Sequence, residues 1–133
     1  MLVTSIPQYI QGLTNAKADL STTNLTTLYT APTGDDFNAS VINSILVSNE
    51  SPNADTITAT LTDGASAVFS LFNLKAVGAN TTVELLTKDL ILQSGEVIKV
   101  QAATANRLHV VASVQELSKT RTSSGGGFIQ GIV

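Results

Sequence analysis

The sequence predicts an all-β fold, an antiparallel β-sandwich of about eight short strands. Three observations carry that prediction. Apolar residues recur at every second position in several runs, as they do along a half-buried strand. Turn-forming residues separate these runs about every 8–12 residues. No stretch of helical length keeps a period near 3.6 residues. A two-sheet sandwich closes such strands over one interior, and the jelly roll is one form it takes.

Taken in chain order, residues 1–23 are expected to form an arm of mixed polarity, with at most a short helical piece around Gly12 to Leu20. The sandwich is expected over residues 24–117. Leu25 to Thr30 is a short strand ending at the turn-forming Ala31-Pro32-Thr33-Gly34. Val41 to Val47 is more continuously apolar, which suits a central strand. In Thr56-Ile57-Thr58-Ala59-Thr60-Leu61-Thr62 the threonines face one way and the apolar residues the other. Asp63-Gly64 then makes a tight turn, and Ala67 to Leu74 returns as the hairpin partner. Val83 to Leu86 is a further short strand.

Leu90-Ile91-Leu92 and Ile98-Lys99-Val100-Gln101-Ala102 flank Gln93-Ser94-Gly95-Glu96, a turn in which glycine can take a positive φ. The last alternating strand, Leu108 to Val114, is entered through a turn at Asn106. The expected core is Leu28, Ile45, Val47, Ile57, Leu61, Phe69, Leu71, Leu85, Leu92, Ile98, Val100, Leu108, Val110 and Ala112. Residues 118–133 are a Gly/Ser-rich linker and an apolar tail.

Composition narrows the function. The chain of 133 residues suits one domain, large enough for a core without staples. Charged residues make up only 13%, against about 25% in ordinary domains. Thr, Ser, Asn and Ala cover the surface instead, and such a surface costs little to desolvate against a neighbour. A net charge of −3 argues against nucleic-acid or anionic-membrane partners, which require basic patches. The absence of cysteine removes disulfides and thiolate chemistry together. The start, Met1 to Pro7, has neither a basic nor a long apolar region, so a cleaved leader is not expected. No apolar run approaches the ~20 residues of a membrane-spanning helix. Asn-x-Ser/Thr sequons at Asn24, Asn38, Asn49 and Asn80 follow from a composition rich in these residues.

A search for chemistry yields no expected catalytic residue, cofactor or metal ligand. The single histidine, His109, lies on the strand face opposite Leu108, Val110 and Ala112 and is expected at the surface. Asp35-Asp36 lacks the ligand spacing of a calcium loop, while Asp55 and Asp63 sit where aspartate caps turns. Glu84, Glu96 and Glu116 could supply glycosidase carboxylates, but 5% aromatic content and no Trp leave few platforms for sugars. Gly125-Gly126-Gly127 has no Lys-Ser/Thr signature of a phosphate loop.

The segment that asks for an external partner is the end of the chain. Phe128, Ile129, Ile132 and Val133 lie beyond a glycine linker and make a poor solvated tail. Burying these side chains does not by itself offset the entropy of ordering the segment, so docking needs added backbone pairing such as strand addition. Docking on a neighbouring subunit and folding back on the same domain both remain open. In the arm, Ile6, Tyr9 and Ile10 either anchor on a partner or, the favoured alternative, complete the domain's own core.

Three segments carry a resemblance: Thr27-Leu28-Tyr29-Thr30-Ala31-Pro32-Thr33-Gly34, Ser44-Ile45-Leu46-Val47-Ser48-Asn49, and Leu90 to Val100 with its Leu92-Gln93-Ser94-Gly95-Glu96 turn. Together, across roughly residues 25–115, they resemble small β-sandwich proteins of tailed phages. The resemblance implies a multi-copy, non-catalytic virion component, either a capsid decoration (cement) protein or a tail or fibre module. It identifies no individual binding residue. One domain without a long stalk favours the decoration protein, which would bind the major capsid protein or other virion subunits, form homo-oligomers and reside in the virion. A tail-associated module is the runner-up, and a carbohydrate-binding adhesin is the reading from a different class.

Overall fold

A computed structural model describes residues 9–119. Among them nine strands follow in order: β1 (Tyr9–Asp19), β2 (Thr26–Thr30), β3 (Phe37–Asn49), β4 (Asp55–Thr62), β5 (Val68–Val77), β6 (Thr81–Glu84), β7 (Leu90–Leu92), β8 (Val97–Ala102) and β9 (Leu108–Ser118). One sheet has the order β1-β9-β3-β6, with β7 also pairing β3, and the other the order β2-β8-β4-β5. Every pairing is antiparallel.

The pairings are nested. β4 pairs β5, β3 pairs β6 and β7, β2 pairs β8, and β1 pairs β9. The chain is thus one long hairpin folded about the β4–β5 turn and then rolled, so that β9 meets β3 and β8 meets β4. This is the jelly-roll form of the β-sandwich. Rolling leaves four edge positions, and β5 at one of them lies beside β6 of the opposite sheet.

The alternation seen in the sequence is what divides each strand between core and surface. β4 buries Asp55, Ile57 and Ala59, β8 buries Ile98, Val100 and Ala102, and β9 buries Leu108, Val110, Ala112 and Val114. Their cross-strand partners complete the layer: Ala112 opposes Ala16 and Ile45, and Val110 opposes Ala18 and Val47. The β3 strand, expected to be central, does lie inside its sheet, flanked by β9 on one side and by β6 and β7 on the other.

Several sequence expectations are corrected. Gly12 to Leu20 contains no helical piece; through Asp19 it belongs to β1, paired along β9, and Leu20 continues the ladder by donating its N–H to the Leu108 carbonyl at 3.0 Å. A partner strand decides here, because Ala16, Ala18 and Leu20 already alternate toward the core. Phe69, expected in the core, is 53% exposed because it lies on the edge strand β5. Leu61 and Leu71 are only half-buried against the core. Phe37, Ile42 and Val77 fill the core without having been expected there. The expected linker and tail after Lys119 lie outside the described residues.

Antiparallel pairing gathers the connections at two ends. The β2–β3 loop, the β4–β5 turn, the β7–β8 turn and Lys119 share one end, tied by Ala31 N–H to the Glu96 carbonyl (2.8 Å) and Lys119 N–H to the Asp36 carbonyl (2.7 Å). The opposite end holds the β1–β2, β3–β4, β5–β6 and β8–β9 loops, tied by Asn106 N–H to the Leu20 carbonyl (2.9 Å) and Asn80 N–H to the Ser51 carbonyl (3.1 Å). There buried Asn49 donates to the carbonyls of Asn53 (2.9 Å) and Val77 (3.3 Å), and buried Asp55 accepts from Thr56 N–H (2.8 Å) and Thr104 N–H (3.1 Å). Their side chains supply partners for backbone that the ladders leave bare.

Candidate functional site

The β2–β3 loop and the β7–β8 turn meet at one end of the sandwich. Gly95 takes φ +76°, as expected of its turn, and its N–H reaches the Pro32 carbonyl at 3.3 Å. A Cβ at Gly95 would lie 3.7 Å from the Thr33 methyl, so the glycine is required by its φ rather than by crowding. Gly34 takes φ +129°, closing the β2–β3 loop. These residues build a turn cluster, and no titratable pair is gathered in it.

The most concentrated polar arrangement lies between the sheets. The Tyr29 hydroxyl on β2 donates to Glu116 Oε2 on β9 at 2.5 Å. Its proton committed there, Tyr29 accepts from the Ser40 hydroxyl on β3 at 2.7 Å. Ser40 and Glu116 are directly opposed in the β3–β9 ladder, so one phenol bridges two strands of the facing sheet. Burial and the bond to the Glu116 carboxylate push the Tyr29 pKa well above that of an ordinary phenol, against an opposing contribution from Ser40. A phenol with its pKa so raised is a poor proton donor and stays neutral, and the triad acts as an inter-sheet clasp.

Glu84 forms a second arrangement, on the surface. Its carboxylate accepts from Ile45 N–H (2.7 Å), Leu86 N–H (3.1 Å) and the Ser44 hydroxyl. It thereby covers the stretch of β3 left unpaired between β6 and β7. Burial alone would raise its pKa, but the three hydrogen bonds outweigh that effect and hold it below the usual carboxylate value. The outcome is an anion fixed in position on the sheet.

That anion lies on a broad face. Antiparallel registers align the outward residues of β1, β9, β3 and β6 or β7 in rows across the sheet. One row reads Lys17, Val111, Leu46, Glu84; a second reads Leu13, Gln115, Val41, Ile91. Asn15, Ser113 and Ser44 lie between these rows, and Ile10, Leu117 and Ala39 lie beyond the second. Leu13 is 73% exposed and Ile91 61%. At the far corner His109 is exposed, as expected, and its Nε2 lies 3.3 Å from Asp19 Oδ1. The outward face of an antiparallel sheet is ordinarily polar, whereas this one is apolar, hydroxylic and sparsely charged.

A cavity of about 280 Å³ opens between β5 and the β6–β7 connection, lined by Leu71, Phe72, Leu85, Leu86 and Leu90 with Thr87, Lys88 and Asp89 at its rim. The glutamates singled out in the sequence are dispersed: Glu84 on β3, Glu116 on Tyr29, and Glu96 Oε1 accepting from Gln93 N–H at 2.7 Å. Of the expected partner-binding residues, Ile10 lies on the outer face of the β1-β9-β3 sheet, 56% exposed, rather than in the core. Tyr9 begins β1. Ile6, Phe128, Ile129, Ile132 and Val133 lie outside the described residues. Sequence reasoning weighed Glu84 only as a glycosidase carboxylate and missed Lys17 and the apolar rows, because only the register places these residues side by side.

Compared with protein-family models, the chain matches none, and a search of the curated proteins finds no significant similarity.

Proposed function

We propose that this chain is a structural protein of a tailed-phage virion, a capsid decoration protein that binds the major capsid protein in many copies. The observation that carries the proposal is the outer face of the β1-β9-β3-β6 sheet, where apolar and hydroxyl side chains outnumber charged ones, a face suited to a protein that assembles copy against copy and meets the shell through its other surfaces. Removing such a face from water releases apolar surface and strips few ions of hydration. Contiguous exposed apolar surface of this kind marks an interaction site. The resemblance of residues 27–34, 44–49 and 90–100 to phage sandwich proteins supports a virion as the assembly.

In this role each copy contributes a modest interface, and many copies on one shell sum by avidity. The domain is a rigid, non-catalytic plate. The C-terminal residues Phe128, Ile129, Ile132 and Val133 would add a second contact on a neighbouring subunit.

Electron microscopy of intact particles, with copy number from quantitative mass spectrometry, tests the proposal. A decoration protein is present in hundreds of copies over the shell. Six or twelve copies at a vertex would transfer the chain to the tail or portal, and absence from particles would end the virion reading. Deleting residues 125–133 should weaken attachment to the shell; unchanged attachment removes the tail contact.

A further inference from the structure

The outer face of the β1-β9-β3-β6 sheet mixes apolar and neutral polar side chains along its middle, and one of its rows has a cation at one side and an anion at the other. In the row Lys17, Val111, Leu46, Glu84 the cation stands on the edge strand β1, the anion on the opposite edge strand β6, and two apolar side chains lie between. Glu84 is not free to swing, because Ser44, Ile45 and Leu86 hold its carboxylate. The neighbouring row has the same symmetry in apolar form, with Leu13 at one side and Ile91 at the other.

We propose that this face is a two-fold interface between two copies of the chain, in which Lys17 of each copy meets Glu84 of the other. The axis runs parallel to the strands, between β9 and β3. It exchanges β1 with β6 and β7, and β9 with β3. Each row then faces itself reversed. Lys17 lies over Glu84, Val111 over Leu46 and Leu13 over Ile91 of the second copy, and the Asp19–His109 pair meets Ser48 and Thr82. No like charges oppose one another. An axis running across the strands instead sets Lys17 over Leu13 of the second copy and leaves both it and Glu84 without an opposite charge.

The arrangement is an aligned sheet-on-sheet packing with an isologous interface, the form a symmetric dimer requires. Four strands about 4.8 Å apart and roughly ten residues of rise give a footprint of about 600 Å² per copy. That lies near the lower end for specific association, so a reversible dimer is expected. The inference deepens the multi-copy reading above and rests on it only for the expectation that copies meet at high local concentration.

Sedimentation of the full chain over a wide concentration range tests it. The wild type should dimerise reversibly. Leu46→Arg, at the centre, should weaken dimerisation at least about 100-fold with an unchanged melting temperature. Lys17→Glu and Glu84→Lys should each weaken it roughly tenfold or more, by setting like charges opposite each other. Mixed one to one, these two variants should regain wild-type association as a heterodimer, because both charge pairs are then restored. Should Glu84→Lys fail to fold, Lys17→Glu in high salt carries the test, since screening should narrow its deficit. A wild type that stays monomeric at millimolar concentration overturns the inference, and so does a dimer indifferent to Leu46→Arg. A dimer indifferent to Lys17→Glu overturns the charge pairing. None of these results bears on where the chain sits on a particle, which the microscopy decides separately.

Discussion

At the residue scale two hydroxyl–carboxylate contacts have measurable consequences. Tyr29 joins the two sheets through Glu116 and Ser40. Tyr29→Phe strands a half-buried carboxylate, and urea denaturation should show a loss of about 1–3 kcal/mol. The same phenol has a raised pKa in the fold, so the unfolded chain releases this proton first as pH rises. Its contribution to stability is therefore intact below the ordinary phenol value near ~10 and is lost above it. In a Tyr9→Phe background, where Tyr29 is the remaining tyrosine, the tyrosinate absorbance should appear well above that pH, together with alkaline unfolding. Glu84 has the opposite sign. Its pKa is lowered in the fold, so its stabilisation is present above the unfolded value near ~4.3 and disappears as pH falls through the folded one. Glu84→Gln should be less stable than wild type at neutral pH, and the two denaturation midpoints should converge as pH falls below the ordinary carboxylate range.

At the element scale the edge strand β5 shows how the fold departs from simple alternation. Between Ile57 and Thr60 the register of β4 against β5 shifts twice, each time with an extra residue in β5. The irregularity brings Leu74 to φ +53° with its side chain 61% exposed, and its N–H finds the Thr58 hydroxyl at 3.2 Å instead of a ladder carbonyl. Bulges of this kind twist an edge away from unwanted pairing. A leucine in the left-handed region is strained by roughly 1–2 kcal/mol. Leu74→Gly should therefore raise the thermal midpoint, with a gain of up to about 1 kcal/mol once glycine's extra unfolded-state entropy is deducted. The hairpin tip teaches the same lesson. Asp63-Gly64 does turn the chain, but the positive φ falls at Ser66 (+68°), while Asp63 Oδ1 accepts from Ala65 N–H and Ala67 N–H. The dipeptide signalled a turn correctly, and the side-chain hydrogen bonds chose its shape.

At the scale of the whole molecule, stability resides where the two sheets face each other. Ile98 is 1% exposed and Phe69 is 53% exposed, although each follows a valine and precedes a polar residue in sequence. Ile98→Ala should cost about 2–5 kcal/mol, and Phe69→Ala within about 0.5 kcal/mol, in the same denaturation assay. The strands from β2 to β9 were legible in the sequence because alternation is local, whereas β1 was taken for an arm. The site was legible only in part. His109 could be assigned to the surface from its strand parity alone, but its partner Asp19 lies on β1 and becomes visible only in the β1–β9 register. Glu84 was visible as a carboxylate, but nothing linked it to Lys17, since the two residues that share one row of the sheet are 67 positions apart in the chain.

What the sequence determined by itself was the class of structure: strands from the two-residue period, turns from Gly, Pro, Asn and Asp, and an interior built from the alternate apolar positions. These are short-range properties, fixed by how each residue and its neighbours can pack on a pleat. Only the tertiary structure decided that residues 9–19 join a sheet, that β5 is an edge, and that apolar residues left on outer faces share one sparsely charged surface. Those outcomes depend on which strands become neighbours. Neighbour choice is set by the rolling of one long nested hairpin, a property of the whole chain that no local window contains.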